Sequence, residues 1–265
     1  MSRSISSDSL VLTLKFLDGG RSLAGGCSDS KVRVWDFNSG SLKETVAREQ
    51  AKHPLTSLLS RLAWTDLGNL QATPKMPNRQ TGENFLHILE ASGKEKHRLT
   101  AGIGGISIVG FSPDGKTVVA GSYDTDLRFW NVSNGELLRR VEDLTVSMFA
   151  MAFSPDGKWL ATAGVDRIVY LWDTSTWRIA KKLAGQPEMI SALDFSPDGK
   201  RLVTGGFSEL TAGHPVKILL WDLAAGKPMK SFDAPRQVTS AVFSPDGQWI
   251  AAACRDKSIA VHPAA

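Results

Sequence analysis

Carboxylates, imidazoles and thiols are the groups in this sequence that could do chemistry. Their spacing points to structure rather than catalysis. Asp29, Asp124, Asp166 and Asp256 recur at intervals of about 40 residues or twice that. One carboxylate per interval suits a tight turn, where a short acidic side chain bonds its own backbone. The five histidines, His53, His87, His97, His214 and His262, form no i, i+4 pair and no HExxH motif. Cys27 and Cys254 are the only cysteines and have no metal-ligand spacing. They read as reduced, partly buried thiols. No G-x-S-x-G elbow occurs, and no glycine-rich phosphate loop. Gly102-Ile-Gly-Gly-Ile106 matches part of a dinucleotide fingerprint, but it precedes a strand pattern and no helix follows. The expectation is a protein without catalytic residues, metal or cofactor.

Bulk properties narrow the class further. The chain has 265 residues, 42% hydrophobic and 22% charged, enough to bury a sizeable core. It has no apolar run long enough to cross a bilayer as a helix. Its start, Met1 to Asp8, is Ser-rich without an apolar stretch. A cytoplasmic protein without a membrane partner is expected. The net charge is +4, from 31 Lys+Arg against 27 Asp+Glu. The basic residues are mixed with acids and build no basic arm, as on a solvated surface.

The organising signal is a repeat. Phe111-Ser-Pro-Asp-Gly115 recurs at 153–157, 195–199 and 243–247, with a looser copy at Phe16-Leu-Asp-Gly19. A second series is Trp35-Asp36, Trp130-Asn131, Trp172-Asp173 and Trp221-Asp222. The step from Phe111 to Phe153 and from Phe153 to Phe195 is 42 residues, and from Phe195 to Phe243 it is 48. Phe16 to Phe111 is 95, which leaves room for a hidden copy. Trp64-Thr-Asp-Leu-Gly68 stands at its turn, and Leu89-Glu90 where Trp-Asp belongs. Six copies result, starting near residues 10, 58, 105, 147, 189 and 237, the second degenerate.

Each copy reads as four short strands. In the fifth, 190–195 alternates apolar with small or polar residues. Ser196-Pro-Asp-Gly199 then turns the chain: Pro fixes φ, Asp bonds the local backbone and Gly takes φ > 0. Three more strands follow, over 201–204, 216–221 and 228–232. A single four-stranded antiparallel sheet cannot shelter both faces, whereas a radial stack can. The expected fold is all-β, one domain over 1–265, a propeller of about six four-stranded antiparallel blades.

On these motifs the chain resembles the WD40-repeat family over nearly its whole length. The resemblance implies a turn Asp six residues before the Trp, matched by Asp29, Asp124 and Asp166. Asp256 matches as well, but His262 stands in place of the Trp. The family's Gly-His pair is missing. Thr162 and Thr204 can take the Ser/Thr place of its polar network, while Gly25, Ala120 and Ala252 cannot. Blades held mainly by apolar packing follow, in which losing the Thr162 hydroxyl costs about 1 kcal/mol or less. The sixth copy lacks its own fourth strand, which residues 2–6 or a partner's strand would supply.

Function then rests on surface. The resemblance implies partner binding, within a larger multiprotein assembly, through one loop face. Ser28, Tyr123, Val165 and Arg255 precede the turn Asp of their copies. Phe149, Ser191 and Thr239 open first strands, with Glu188 and Arg236 nearby. Phe149 has a second reading, as a plug of the central channel. Insertions at 207–215, with Glu209 and His214, and at 73–82, with Lys75 and Arg79, extend loops between second and third strands. The basic second copy (Lys52, Arg61, Lys75, Arg79, Lys94, Lys96 and Arg98) suggests a nucleic-acid-contacting subunit as a rival function. A propeller enzyme with a channel site is another rival. If recognition sits in the fifth-copy insertion, deleting 208–214 should abolish partner binding in a pull-down. The melting temperature should barely change, because exposed loops tolerate length changes.

Overall fold

The Ser-Pro-Asp-Gly turns repeat one hydrogen-bond pattern. In a computed structural model that describes residues 2–47, 63–65, 70–75, 84–90, 92–102, 105–142, 146–207 and 215–264, Ser154 Oγ donates to Asp156 Oδ1 at 2.6 Å. The same oxygen accepts from the Trp159 amide at 3.0 Å. Ser112, Ser196 and Ser244 do likewise with Asp114, Asp198 and Asp246. The serine thus ties both arms of the hairpin together. The Asp or Asn after each Trp closes a second turn: Asp36, Asn131 and Asp173 each accept a backbone amide two residues on.

Between these turns the chain forms β1 (Arg3–Ser6) and six groups of strands. Blade 1 has β2 (Val11–Leu17), β3 (Ser22–Cys27), β4 (Lys31–Asp36) and β5 (Leu42–Ala47). Blade 2 has β6 (Ala63–Thr65), β7 (Leu70–Lys75), β8 (Phe85–Leu89) and β9 (Glu95–Thr100). Blade 3 has β10 (Ile106–Phe111), β11 (Thr117–Ser122), β12 (Leu127–Asn131) and β13 (Leu137–Val141). Blade 4 has β14 (Met148–Phe153), β15 (Trp159–Gly164), β16 (Ile168–Asp173) and β17 (Arg178–Ala184). Blade 5 has β18 (Met189–Phe195), β19 (Arg201–Phe207), β20 (Val216–Asp222) and β21 (Lys227–Ala234). Blade 6 has β22 (Val238–Phe243), β23 (Trp249–Cys254) and β24 (Ser258–Pro263), and β1 pairs with β24 as its outer strand. Every sheet is four-stranded and antiparallel; five are meanders, and the sixth takes β1 from the start of the chain. The inner strands pack side by side in the order β6, β10, β14, β18, β22, β2.

The core lies between blades. Each third strand is buried on both sides, so its side chains alternate between neighbours. In blade 4, Trp172 and Tyr170 pack against blade 3, with Phe129 and Leu127. Val169 and Leu171 face blade 5, with Ile190, Leu202 and Trp221. Trp35 likewise meets blade 6 and Trp130 meets blade 2, so each Trp fills the gap to the preceding blade. His262 keeps that direction in blade 6 and stacks on Phe232 of blade 5, rings 4.5 Å apart and 19° from parallel. Its Nδ1 meets Ser2 Oγ at 2.9 Å. That contact and the burial of Ile5 between blades 6 and 1 fix β1 in place. Arg3 adds bonds to the carbonyls of Phe37 and Asn38 and lies over the Phe37 ring.

Polar networks are more developed than the missing Gly-His pairs suggest. In blade 5, Trp221 Nε1 donates to Thr204 Oγ1 at 2.8 Å, and that hydroxyl donates to Gln186 Oε1 at 2.7 Å. Gln186 Nε2 then donates to the Lys217 carbonyl at 3.0 Å and to Glu188 at 3.1 Å. Gln186 thus does the bridging that a histidine would do. In blade 4, Trp172 Nε1 donates to Thr162 Oγ1 at 2.9 Å, both side chains buried. Removing either hydroxyl strands a buried indole N–H, which raises the expected cost above the sequence-based figure. Thr162→Ala should cost about 2 kcal/mol in urea unfolding. Thr204→Ala should cost more, because Gln186 loses its donor too. Equal midpoints for Thr204→Ala and the parent would contradict this account.

Candidate partner-binding face

The turns between second and third strands, and the entries to the first strands, share one edge of the stack, the upper face. Two local devices shape it. The first is a β-bulge near the start of β2, β10, β14, β18 and β22, at the second residue of each but the third of β18, where the pairing register slips by one. The unpaired residues are Leu12, Ser107, Phe149, Ser191 and Thr239, and a bulge re-aims its side chain. Ser191 Oγ donates to the Val238 carbonyl and Thr239 Oγ1 to the Val11 carbonyl, each at 2.6 Å, stitching blade 5 to 6 and 6 to 1. Ser107 Oγ is buried and has no hydrogen-bond partner among the described residues. Leu12 and Phe149 have no hydroxyl to use inward. Leu12 stands 44% exposed, and Phe149 is half-buried.

The second device is the turn aspartate. Asp29, Asp124, Asp166 and Asp256 each accept the amide two residues on. The residue in between, Ser30, Thr125, Arg167 or Lys257, adopts φ between 61° and 72°. Three of these aspartates are also held by the residue two before the Trp position. Arg33 forks onto Asp29 at 2.7 and 3.1 Å, Arg128 lies 3.6 Å from Asp124, and Tyr170 Oη donates to Asp166 at 2.7 Å. The Arg33 hydrogen bonds keep Asp29 below the usual carboxylate range. Burial, with Asp166 beside it, pushes the Tyr170 phenol up to about 12, so it stays a donor. These donors were not singled out from sequence, though their fixed offset from the Trp is a readable signal. They brace the hairpins that present Ser28, Tyr123 and Val165; the hairpin of Arg255 has Ala260 at that place and no such donor.

On this frame three aromatic rings from three blades line up. Tyr123 is 50% exposed; its ring centroid lies 6.3 Å from that of Phe149, which lies 6.2 Å from that of Phe207. Phe207, the last residue of β19, opens the fifth-copy insertion. Phe149 therefore sits between two rings at the rim. In blades 1 and 6, Ser28, Arg236 and Arg255 are exposed; Arg255 donates to Gln237 Oε1, and Ser28 meets Ser9. Glu188 is turned inward, accepting from Gln186 and from the Lys217 amide. Arg79, Glu209 and His214 lie outside the described residues, as do Lys52 and Arg61. Lys75 is described only as the end of β7. Lys96 and Arg98 are exposed on β9 together with Glu95, Lys94 is exposed just before it, and Arg98 lies over the Phe85 ring.

The channel lining is chemically sparse. Among the described residues, the inner strands carry two ionisable side chains, Lys15 and Asp194. No group of three or more His, Cys, Asp or Glu side chains among the described residues is placed to hold a metal ion. No described helix is long and apolar enough to cross a membrane.

A family model described as "WD domain, G-beta repeat" matches residues 3–36, 93–131, 140–173, 177–209 and 226–262. The degenerate second copy falls largely outside those matches. The chain is also similar to "Cell division cycle 20.1, cofactor of APC complex" of Arabidopsis thaliana, 28% identical over 163 residues. That alignment covers 46% of this chain and 36% of the relative, so the match spans little more than a third of the relative's length.

Asp194 gives the inner strands a titration of their own. Its carboxylate accepts the Phe243 amide at 2.8 Å across the junction of blades 5 and 6. Burial pushes it up to about 7 against the two amide hydrogen bonds it accepts. The folded state therefore prefers the protonated acid, whereas the unfolded chain ionises near 3.8. The resulting stability is full below that value and lost as pH rises through about 7. Between pH 5 and pH 8 the parent should lose about 2–3 kcal/mol that Asp194→Asn does not lose. Parallel losses in denaturant titrations of the two proteins would refute the assignment.

Proposed function

This chain belongs to the WD40-repeat family, and on that premise we propose that it is a non-catalytic scaffold that docks protein partners on its upper face, within a larger assembly. The observation that carries the reading is the row Tyr123, Phe149, Phe207. Interface hot spots favour large aromatic side chains that lose little conformational freedom on binding. Here Tyr123 stands on a hairpin clamped by Asp124 and Phe149 on a paired first strand, so these two rings need little ordering to associate. Leu12, Arg236 and Arg255 are exposed at the first-strand entries and turns of blades 1 and 6, which widens the surface open to a partner. The relative in Arabidopsis is named as a cofactor of a complex, which supports the assembly role. Neither that relative nor the family match favours nucleic acid or a channel reaction.

The test compares what the parent and its variants retain from their own cells by quantitative mass spectrometry. Tyr123→Ala, and the pair Tyr123→Ala with Phe149→Ser, should each weaken the principal partner's retention about thirtyfold. Tyr123 is half exposed, so its loss should leave the melting temperature within about 2 °C. Undiminished retention by the double variant would remove the upper face as the docking site.

A further inference from the structure

The clefts between blades on the lower face, lined by the Ser-Pro-Asp-Gly turns and the turns after the third strands, are filled unequally. Each described turn after a third strand holds one residue in the left-handed region: Gly40 (φ 72°), Gly93 (82°), Gly135 (73°), Gly226 (67°) and, in blade 4, Trp177 (51°). A tryptophan is strained there. Its indole fills the cleft between blades 3 and 4, 4.4 Å from Phe129 and edge-on to Phe153 at 6.4 Å.

One blade further round, the corresponding residue is Gly226, and a cleft of about 610 Å³ lies open. Trp159 and Leu171 of blade 4 and Leu223, Ala224 and Met229 of blade 5 wall it. Leu171 stands directly before the Trp of its third strand, as Phe129 does, so the surface that meets Trp177 in one cleft has its counterpart in the next. A Cβ placed on Gly226 would meet nothing closer than Lys181 Cδ and Nζ, both at 3.7 Å. Lys181 reaches across to the carbonyls of Leu223 at 2.6 Å and Ala224 at 3.3 Å, and forms no ion pair among the described residues.

We propose that the cleft between blades 4 and 5 receives an aromatic side chain, an indole above all, presented by a protein partner. The molecule shows in the neighbouring cleft which group fits such a space. Lys181 decides for an aromatic over an aliphatic group: its ammonium lies beside the place where the ring begins, and a cation there is attracted to a π-face. Met229 and Trp159 add polarizable walls that adapt to a ring. This site is on the opposite face from the aromatic row and stands whether or not that row docks a partner.

Ligand-observed NMR on the full chain, titrated with N-acetyl-tryptophanamide, tests the site. Binding with a dissociation constant of about 1 mM is expected for so small a probe. N-acetyl-leucinamide should bind about fivefold more weakly, and Lys181→Gln should weaken the tryptophan amide by about threefold. Gly226→Trp, whose own indole would occupy the cleft, should weaken it by about tenfold or more. Should that variant fail to fold, Ala180→Trp at the exposed rim carries the same blocking test. No binding to the parent, or equal binding to the parent and a folded blocking variant, would overturn the proposal.

Discussion

The structure depends on third strands that are buried on both faces. A strand such as β16 points Trp172 and Tyr170 one way and Val169 and Leu171 the other, and neither face is sheltered by its own sheet. Stability therefore belongs to the junctions between blades. Large-to-small changes at such positions remove packing from a site with little freedom to collapse, at about 3–5 kcal/mol for a tryptophan. The last blade obeys the same constraint by different means. His262 reaches back to Phe232 where a tryptophan would have gone, and Ile5 arrives from the other end of the chain to complete the junction with blade 1.

Against that apolar frame, polar groups act locally. Serine and aspartate clip the lower turns, and turn aspartates with their Arg or Tyr donors clip the upper ones. Short charged or hydroxyl contacts of this kind add modest net stability, but each removes a degree of freedom from a loop. The hairpin of Tyr123 can hold its exposed ring in place because its turn backbone is already bonded to Asp124. Ser191 and Thr239 donate their hydroxyl protons to carbonyls of the neighbouring blade, whereas Phe149 makes no such bond from the corresponding bulge.

The positions that break the repeat are the ones that give the molecule its individual surface. Phe149 and Leu12 stand where other blades have hydroxyls. Trp177 stands where other blades have glycine, and the glycine in blade 5 leaves its cleft open. Gln186 bridges in blade 5 alone among the described networks. Each exception is tolerated because the junction cores on either side are intact, so a single turn or bulge can change without unsettling the stack.

The sequence by itself determined the class of fold, the count of six copies, the strand and turn positions and the place of each turn aspartate. These depend on short-range patterns, alternation and turn chemistry, that recur at a readable period. It also named residues 2–6 as a candidate for the missing strand of blade 6, but not over a partner's strand. That choice rests on whether Ile5 and Ser2 meet a buried place, and such a place exists only once blades 6 and 1 are side by side. Tertiary structure alone brought Tyr123, Phe149 and Phe207 into one row, since residues of three blades touch through packing rather than proximity in sequence. It alone turned Glu188 inward, gave Gln186 its bridging role and set Trp177 against Phe129. Contacts between blades join residues tens of positions apart, and their geometry is fixed by the radial packing that no single repeat contains.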